Sequence, residues 1–600
     1  MESQSSPTIE TIIDALYLHV KNKPEEIIYT FINDDLTEKT LTYKQLLQKS
    51  QAIAATLQAK NIKPRSRVLL IYSPGLEFIC AFLGCLMAGV IAVPAFPPIN
   101  SAFAYKLKGI LSDAKPDLIL TETKIKRFIA LGKILKKINK IPFLKGFIEK
   151  KYKNIISATE SSLEKYTNYS SSTISLAKAK KMKINKILPC DIALLQYTSG
   201  STATPKGVMV LHRNIIANER LIAKYFGHSE QSVGVNWLPH YHDMGLIGTI
   251  LQPLFVGFHS VLMSPITFLK KPTLWLNLII KFQATTSGSP NFAYQLCAKK
   301  YKKITEKMND EDFILWRVAF NGAEPIYPEV MLDFYEKFKN NGFRFETFLP
   351  CYGLAEATLI VAGIPFNEKP RILHIDSDQL KKNKVKLSSQ DNAKKIASSG
   401  YCIEEIKIVN PETYNQCGND EVGEIWIHGE SVTHGYWQKP TETKITFHAK
   451  IAHDSSEKEY LRSGDLGFIH EQQLYVTGRA KDTIIIDGEN YYPQDIEYTV
   501  INNFKEIRSG GVAVFSYEEE TQVRIIIIAE LCHKSKNTQN NLAELILKIK
   551  KCVFKYNGVP IARIVLVNPK AIAKTTSGKV SRAECKKLFL ENKIDIIHQA

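Results

Sequence analysis

The 600-residue sequence lacks paired cysteines. Its ten cysteines are scattered, no two have Cys-x-x-Cys spacing, and none lies in a cluster with histidine, so the sequence indicates neither a zinc site nor a redox dithiol. Scattered free cysteines are typical of a reducing compartment, and we expect a cytoplasmic protein. The first ten residues, MESQSSPTIE, have no basic and no apolar segment, so they do not resemble a signal peptide.

Long apolar runs are also scarce. The exception is residues 78–96, FICAFLGCLMAGVIAVPAF, which carry no charge over roughly the length that a helix needs to cross a bilayer. Gly89, the β-branched run after it and Pro94 instead indicate a buried helix followed by a buried strand. We therefore expect no transmembrane segment.

The composition is not that of a disordered or fibrous chain, because 44% of the residues are hydrophobic and 23% are charged. Acidic residues are the minority charge: 78 Lys and Arg against 60 Asp and Glu give a formal net charge of +18. This surplus favours anionic partners, such as nucleotide phosphates, anionic lipid, nucleic acid or an acidic protein. A lysine-rich surface that is merely solvated, with no anionic partner, explains the same net charge.

The pattern of apolar runs predicts an α/β fold. Short runs such as VLLIY (68–72) and VGVNWL (233–238) alternate with helix-length stretches, as in βαβ units with parallel sheets. From about Gly400 the runs are short and separated by Gly, Asn and Pro, as in an antiparallel sheet or small barrel. We expect a large domain over residues 1–480, with two doubly wound sheets and a small β-barrel-like subdomain, and a small α+β C-terminal domain over residues 481–600.

Two segments differ in character from the rest of the chain. Residues 124–153 hold eleven Lys or Arg against one acid, interleaved with apolar residues. Such a stretch can lie on a membrane or receive an acidic partner, but a solvated helix face is the more common explanation. Residues 367–399 are rich in Lys, Asn, Asp and Ser, and we interpret them as a polar loop inserted in the large domain.

The strongest functional signal is LQYTSGSTATPKGV, residues 195–208. Its hydroxyl-bearing and small residues can turn backbone N–H groups and hydroxyls toward one anion, and Lys206 adds a point charge. The Walker pattern GxxxxGK[ST] is absent. The candidate phosphate-binding residues are Thr198, Ser199, Gly200, Ser201, Thr202 and Lys206.

YTSGSTATPKG (197–207) resembles the phosphate loop of the adenylate-forming enzymes, which include acyl-CoA synthetases, luciferases and peptide-synthetase adenylation domains. Four further segments match family motifs in the family's order: NGAEP (321–325), CYGLAEAT (351–358), YLRSGDLG (460–467) with GRAKD (478–482), and KTTSGKVSR (574–582). The resemblance implies that ATP is the co-substrate, that Mg²⁺ is required, and that Lys579 is the catalytic lysine.

The same resemblance assigns the remaining nucleotide-site residues. Tyr352 is expected against the adenine, Asp465 and Arg479 on the ribose, and Lys481 at the hinge of the small domain. Glu356 is expected to hold Mg²⁺ together with Thr202 and to belong to the catalytic set. The segments that line the nucleotide are Asn321, Gly322, Ala323 and Glu324 on one side, and Cys351, Tyr352, Gly353 and Leu354 on the other.

NWLPHYHDMGLIG, residues 236–248, resembles the segment at the acyl site of fatty-acid-activating relatives, with His242 beside the carboxylate. A metal reading of His240, His242 and Asp243 lacks the further ligands of a catalytic zinc site. The Phe-Asp pair of amino-acid-activating relatives is absent, which favours a fatty acid. The expected acyl-tunnel residues are Trp237, Met244, Gly288, Ser289 and Asn291.

The polar insertion and the WLPHYHDMGLIG segment together resemble fatty acyl-AMP ligases most. That resemblance implies activation of a medium- or long-chain fatty acid to acyl-AMP, followed by transfer to an acyl carrier protein in trans. The alternative within the family is a fatty acyl-CoA synthetase. The alternative outside it is a basic protein that binds nucleic acid or membrane through residues 124–153 and 178–186, but no nucleic-acid-binding motif is present and we expect no nucleic-acid partner.

Overall fold

The computed structural model describes residues 9–98, 101–138, 163–198, 205–302, 308–390, 393–519, 522–532, 541–575 and 578–600. The α-helices in these ranges are Ile12–Asn22, Tyr43–Ala59, Leu76–Met87, Ser101–Ala114, Thr123–Ile138, His212–Phe226, Asp243–Leu246, Gln252–Val256, Pro265–Lys270, Pro272–Lys281, Asn291–Ala298, Pro328–Phe338, Ser377–Lys381, Pro440–Phe447, Pro493–Asn503, Leu542–Asn557 and Arg582–Leu590. Together with several sheets they form the mixed α/β fold that the sequence predicts.

The first sheet follows the predicted βαβ pattern. Its strands lie in the order Asn168–Ser170, Leu118–Thr121, Arg67–Ile71, Ile91–Ala95, Ile192–Thr198 and Lys206–Leu211. All neighbours are parallel except the last pair. Residues 78–96 are the buried helix and buried strand that the sequence predicts. Within the described ranges, no helix has the length and apolarity that crossing a membrane requires.

The second sheet has four strands in the order Glu38–Thr42, Ile27–Ile32, His259–Met263 and Val233–Asn236. The third has eight, in the order Ala319–Asn321, Phe348–Gly353, Ile360–Gly363, Tyr401–Cys402, Gln473–Arg479, Leu461–His470, Gly423–His428 and Glu405–Val409. Its first pair is parallel and the other pairs are antiparallel. The antiparallel strands after Gly400 therefore continue a sheet that begins with parallel strands.

The C-terminal part of the chain has a sheet and core of its own. Strands Ile507–Glu519, Gln522–Leu531, Arg563–Val567 and Ile596–Gln599 form the sheet, and a hairpin pairs Ile484–Ile486 with Glu489–Tyr491. The helix over residues 542–557 buries Leu542, Ile546, Ile549 and Val553, which recur at helical spacing on one face. The division at residue 480 remains a prediction.

The insertion at 367–399 is more ordered than the loop that its composition suggests. Ile372–Ile375 pairs antiparallel with Lys394–Ala397, and the helix Ser377–Lys381 lies between them. The order comes from a small apolar core that is not evident in the overall polar composition of the segment. Ile375, Leu380, Val385 and Ile396 pack there with Leu466, Phe468, Tyr475 and Tyr492. The insertion is thus fastened to the large sheet.

The basic segment 124–153 is only partly described. Its first part lies in the helix Thr123–Ile138. Residues 139–162 lie outside the described ranges.

Candidate active site

The predicted phosphate loop joins two paired strands. Thr198 lies opposite Lys206 and Tyr197 opposite Gly207, while the loop residues Ser199, Gly200, Ser201 and Thr202 lie outside the described ranges. A Cβ atom at Gly207 would lie 2.9 Å from the ring of Tyr197. Glycine at this position therefore leaves room for the ring to pack against the paired strand. The Tyr197 hydroxyl donates a hydrogen bond of 2.6 Å to Asp113. This packing fixes the start of the second strand, where Lys206 lies.

Lys206 connects with Glu356 through a tyrosine that the motifs did not reveal. Its ammonium lies 4.7 Å from the centre of the Tyr436 ring, close enough for a cation–π contact. The Tyr436 hydroxyl donates to Glu356 Oε1 at 2.9 Å. Burial raises the pKa of Glu356, and the hydrogen bond from Tyr436 opposes that rise. Lys206 and the Glu356 carboxylate therefore belong to one site.

The two adenine segments meet at one edge of the third sheet. Strands 319–321 and 348–353 are parallel neighbours, which places NGAEP and CYG at the same strand ends. A Cβ atom at Gly322 would lie 2.8 Å from the Cys351 carbonyl oxygen, so glycine permits this close approach. Ala323 has φ of +67°, an uncommon left-handed conformation for a residue with a side chain. Gly353 and Leu354 follow at the end of the second strand.

Tyr352, Asp465 and Arg479 form a connected group. The Tyr352 hydroxyl donates to Asp465 Oδ2 at 2.7 Å, and Arg479 Nε lies 3.2 Å from Asp465 Oδ1. Asp465 and Arg479 are register partners on adjacent antiparallel strands. The structure thus brings together the three residues that the sequence places around adenine and ribose.

Lys579 reaches this group from the C-terminal part of the chain. Burial lowers its pKa, as does the Arg479 guanidinium, whereas Asp243, Glu324 and Asp465 oppose the shift. Glu324 accepts the Phe292 N–H at 2.6 Å, and burial raises its pKa while the nearby ammonium of Lys579 counteracts the rise. The lysine is therefore within electrostatic reach of the nucleotide segments. From this position the positive charge of the Lys579 ammonium can stabilise negative charge on a reacting phosphate.

The segment that carries Lys579 contacts the large domain through Lys106. Lys574 and Val580 form a β-bridge around the turn, and the Lys106 ammonium donates to the Lys574 carbonyl oxygen at 2.9 Å. Lys106 lies on the helix Ser101–Ala114, far away in sequence. Burial lowers its pKa, and Glu584 opposes that shift. Lys106 therefore helps to position the segment that carries Lys579, and no sequence motif marks Lys106 for this role.

Replacing Lys106 by methionine is expected to slow acyl-AMP formation about tenfold, because a charge-assisted hydrogen bond to the catalytic segment is lost. Pyrophosphate exchange at saturating substrate measures this step. Transfer of the acyl group from preformed acyl-AMP should stay near its original rate. Lys108→Met, on the exposed side of the same helix, is the matched control. An equal loss of both steps would mean that Lys106 only supports the fold.

His242 and Asp243 lie where a short helix begins. His242 Nδ1 is 2.5 Å from Asp243 Oδ1, and Asp243 also accepts the Met244 N–H at 2.7 Å. Burial alone would raise the pKa of Asp243, but the contacts with His242 and the N–H of Met244 outweigh it, and the pKa lies below its ordinary value. His242 is partly exposed and close to the Lys579 group, as expected for a residue beside a substrate carboxylate.

His240 points elsewhere. Its ring lies 4.1 Å from that of Phe78, and burial lowers its pKa to about 3. His240 is therefore neutral, and its ring packs against those of Phe78 and Tyr241. The described ranges hold no group of three or more His, Cys, Asp or Glu residues arranged to bind a metal ion.

The predicted acyl-tunnel residues lie around the joint between the second and third sheets. Trp237 is buried and stacks on Phe268 at 4.0 Å, and Met244 is buried in the large apolar core. Gly288 lies against Phe320, where a Cβ atom would be 2.3 Å from the ring. Asn291 accepts from Asn321 at 3.3 Å, which links this segment to the adenine segment. Ser289 bridges the strand that ends at Asn321.

Glu356 fits the chemistry of a magnesium ligand. It offers a carboxylate that Tyr436 links to Lys206, and Mg²⁺ in nucleotide sites is held by one or two carboxylates together with substrate phosphates. Thr202, its predicted partner, lies outside the described ranges. Glu356 is positioned by Tyr436 and by its own backbone oxygen, which accepts from the Thr433 N–H at 3.0 Å.

Lys481 lies in an exposed turn between the strand that ends at Arg479 and the hairpin that follows. The next residue is held by the catalytic segment: Arg582 Nη1 donates to Asp482 at 2.6 Å. The same guanidinium makes two further bonds, of 2.8 and 2.7 Å, to Glu497. A rotation about Lys481 would therefore carry the Lys579 segment along with it.

Residues 16–437 match the family model described as AMP-binding enzyme. The chain belongs to the AMP-binding enzyme family. Residues 481–599 match a second model, described as the AMP domain of Disco-interacting protein 2-like proteins.

Similar proteins cover this AMP-binding enzyme almost end to end. The medium-chain-fatty-acid–(acyl-carrier-protein) ligase JamA of Moorena producens is 37% identical over 98% of this chain and 97% of its own. The ligase of the same name, TtuA, of Teredinibacter turnerae is 32% identical over 97% and 94%. A fatty acyl-adenylate ligase from Legionella pneumophila, solved with acyl adenylate and pyrophosphate, shares 38% identity, a TM-score of 0.72 and 98% coverage of both chains.

Proposed function

We propose that this enzyme joins a medium- or long-chain fatty acid to AMP, releasing pyrophosphate, and passes the acyl group to an acyl carrier protein. The observation that carries the proposal is the position of Lys579 beside Asp465, Arg479 and Glu324 in a chain whose full-length relatives are fatty-acid–carrier-protein and acyl-adenylate ligases. We also propose a cytoplasmic location, on the basis of ten free cysteines.

The residues assemble a site for in-line attack. Tyr352 is proposed to lie against adenine, with Asp465 accepting hydrogen bonds from the ribose hydroxyls. The fatty carboxylate enters beside His242 and attacks the α-phosphorus. A carboxylate–phosphate bond forms while the bond to the pyrophosphate oxygen breaks. No protein nucleophile is required, because positioning and charge stabilisation carry phosphoryl-type transfer.

Lys579 and Lys206 supply the positive charge for this step. Lys579 is proposed to contact the carboxylate and an α-phosphate oxygen, and Lys206 the departing phosphates. Mg²⁺, held by Glu356 and Thr202, would supply charge neutralisation of the phosphates when bound. Because Lys579 is half-buried, its charge acts in a medium of lower dielectric than water, which strengthens the attraction.

The acyl acceptor separates this proposal from its alternative, a fatty acyl-CoA synthetase. The enzyme is incubated with ATP, CoA and fatty acids of several lengths, with and without a phosphopantetheinylated carrier protein. Mass detection then follows acyl-AMP, acyl-CoA and acyl-carrier. We expect acyl-AMP that persists with CoA and is consumed when the carrier is added. Efficient acyl-CoA formation would identify a synthetase, and absence of any adenylate would refute both assignments.

Replacing Lys481 by proline is expected to preserve most of the acyl-AMP formation and to slow acyl transfer. Proline fixes φ near −65°, which restricts rotation at the proposed hinge. Rapid-quench measurement of each half-reaction tests this. Lys481→Ala removes the same charge without the restriction and should leave both steps nearly unchanged. Equal losses of the two steps in the proline variant would argue against a hinge here.

A further inference from the structure

We propose that residues 175–188 form a docking surface for an anionic lipid membrane; this rests on the proposed function, because the proposed substrate is itself a lipid that partitions into bilayers. We call this segment, SLAKAKKMKINKIL, the lysine strip. It contains five lysines and no acidic residue. Neither the nucleotide site nor the acyl site uses it.

The lysine strip exposes apolar side chains among its charges. Ile184 is 86% exposed and Leu176 is 51% exposed. Lys180, Lys181, Lys183 and Lys186 are exposed as well. Within the described part of the chain, no acidic side chain pairs with any of the five lysines. The strip therefore presents unneutralised charge and unburied aliphatic carbon at the same place.

The segment is anchored, so this exposure is imposed by the fold. The Gln58 side chain accepts a hydrogen bond of 2.9 Å from the Lys183 N–H and donates one of 2.8 Å to the Lys183 carbonyl oxygen. Asn185 donates to the Ala88 carbonyl oxygen at 2.9 Å. Met182 and Ile187 pack inward against the main core. With the chain held on both sides, Ile184 is directed away from the protein.

Further cations border the strip. Gln58 is close to the end of the helix Tyr43–Ala59, and the exposed Lys60 and Lys63 follow directly after that helix. The first acidic residue after the strip in the sequence, Asp191, forms an ion pair with Arg65 at 2.9 Å. The positive surface is thus wider than the strip alone.

This combination fits a lipid headgroup region best. Lysines near an anionic bilayer are attracted to its surface, and aliphatic side chains between them enter the boundary with the acyl chains. Single-stranded nucleic acid binding uses aromatic side chains for base stacking, and the strip has none. Attachment here would hold the enzyme at the surface in which its fatty acid dissolves.

The test is sedimentation of the full chain with vesicles of phosphatidylcholine, with or without phosphatidylglycerol. We expect retention only on the anionic vesicles. Replacing Lys180, Lys181, Lys183 and Lys186 together by glutamine should weaken partition at least about tenfold. Because the whole protein is basic, the matched control replaces four exposed lysines elsewhere: Lys270, Lys271, Lys551 and Lys555. That control should lose clearly less.

A second pair of variants separates lipid from general electrostatics. Ile184→Ser keeps the charge and should still weaken partition several-fold, whereas Ile445→Ser, at a position 59% exposed, should not. Equal losses in strip and control variants, or no effect of Ile184→Ser, would overturn the proposal. So would normal vesicle binding by the lysine variant together with lost transfer to a carrier, which would make the strip a protein-docking surface.

Failure of this inference is distinguishable from failure of the proposed function. Acyl-AMP formation from dispersed fatty acid, without vesicles, should be the same in all of these variants and in the original protein. If the original protein makes no acyl-AMP, the proposed function is wrong whatever the vesicles show. If acyl-AMP formation is normal and vesicle binding is independent of the strip, only the membrane proposal is wrong.

Discussion

Replacing Lys579 by alanine is expected to reduce acyl-AMP formation about 10²–10³-fold while ATP affinity changes only a few-fold. The half-buried ammonium interacts electrostatically with Asp243, Glu324 and Asp465, where the carboxylate and α-phosphate are proposed to meet. It would act chiefly as the negative charge redistributes in the transition state. The groups proposed to hold adenine and ribose lie on strands of the third sheet and remain in place.

Two measurements separate the catalytic role from a structural one. Pyrophosphate exchange reports adenylation, and equilibrium binding of ATP reports the ground state. Lys587→Ala, an exposed lysine on the helix after the catalytic segment, is the control and should have normal exchange. Near-original acyl-AMP formation by the Lys579→Ala variant would refute the assignment, and a parallel loss of ATP binding would reassign Lys579 to substrate binding.

Much of this site could be predicted from the sequence because its residues fall in short motifs whose spacing is set by strand ends. Tyr352 is expected against the adenine and Asp465 and Arg479 on the ribose, and their hydroxyl, carboxylate and guanidinium groups do form one bonded group. Parallel pairing of two strands explains why separate motifs converge on one edge.

The residues that could not be predicted act through long-range contacts. Lys106 and Tyr436 are single residues in ordinary helical or loop sequence, and only the fold brings them to Lys574 and Glu356. No local pattern encodes a contact of that kind. Their roles follow from the tertiary structure alone.

The insertion shows a different limit of sequence reasoning. Composition averaged over residues 367–399 is polar, which predicts a loop. Four separated apolar residues of the insertion nevertheless form a small core together with residues of the large sheet and Tyr492. Two short strands and a helical turn form because that core is available, not because the segment has a strong periodicity of its own.

The insertion also contacts the C-terminal part of the chain. The Asn490 side chain donates to the Lys381 carbonyl oxygen at 2.8 Å and to Asn383 at 3.1 Å. Lys394 pairs with Asp495 at 2.5 Å. These bonds join the fastened insertion to the part that is proposed to rotate. They would be lost on rotation, so they favour the adenylating arrangement.

Weakening this restraint is expected to release acyl-CoA synthesis. If the thiol-accepting arrangement is about 1% populated, the apparent affinity for CoA is weakened about 100-fold, and a carrier protein can compensate through additional contacts. Shortening the insertion between residues 372 and 397 should recover part of this lost affinity for CoA and so raise the rate of acyl-CoA formation. Because shortening also exposes the apolar core that it covers, a milder variant is needed beside it.

The double substitution Asn490→Ala and Lys394→Ala removes these three polar contacts and leaves the insertion core, which includes Tyr492, intact. Acyl-CoA and acyl-AMP are measured by mass after incubation with CoA, and the melting temperature verifies folding. We expect several-fold more acyl-CoA with little change in adenylation. Lys395→Ala, an exposed neighbour, should behave like the original protein. If neither variant gains acyl-CoA synthesis, the insertion does not restrain rotation, and discrimination against CoA must reside in the thiol channel instead.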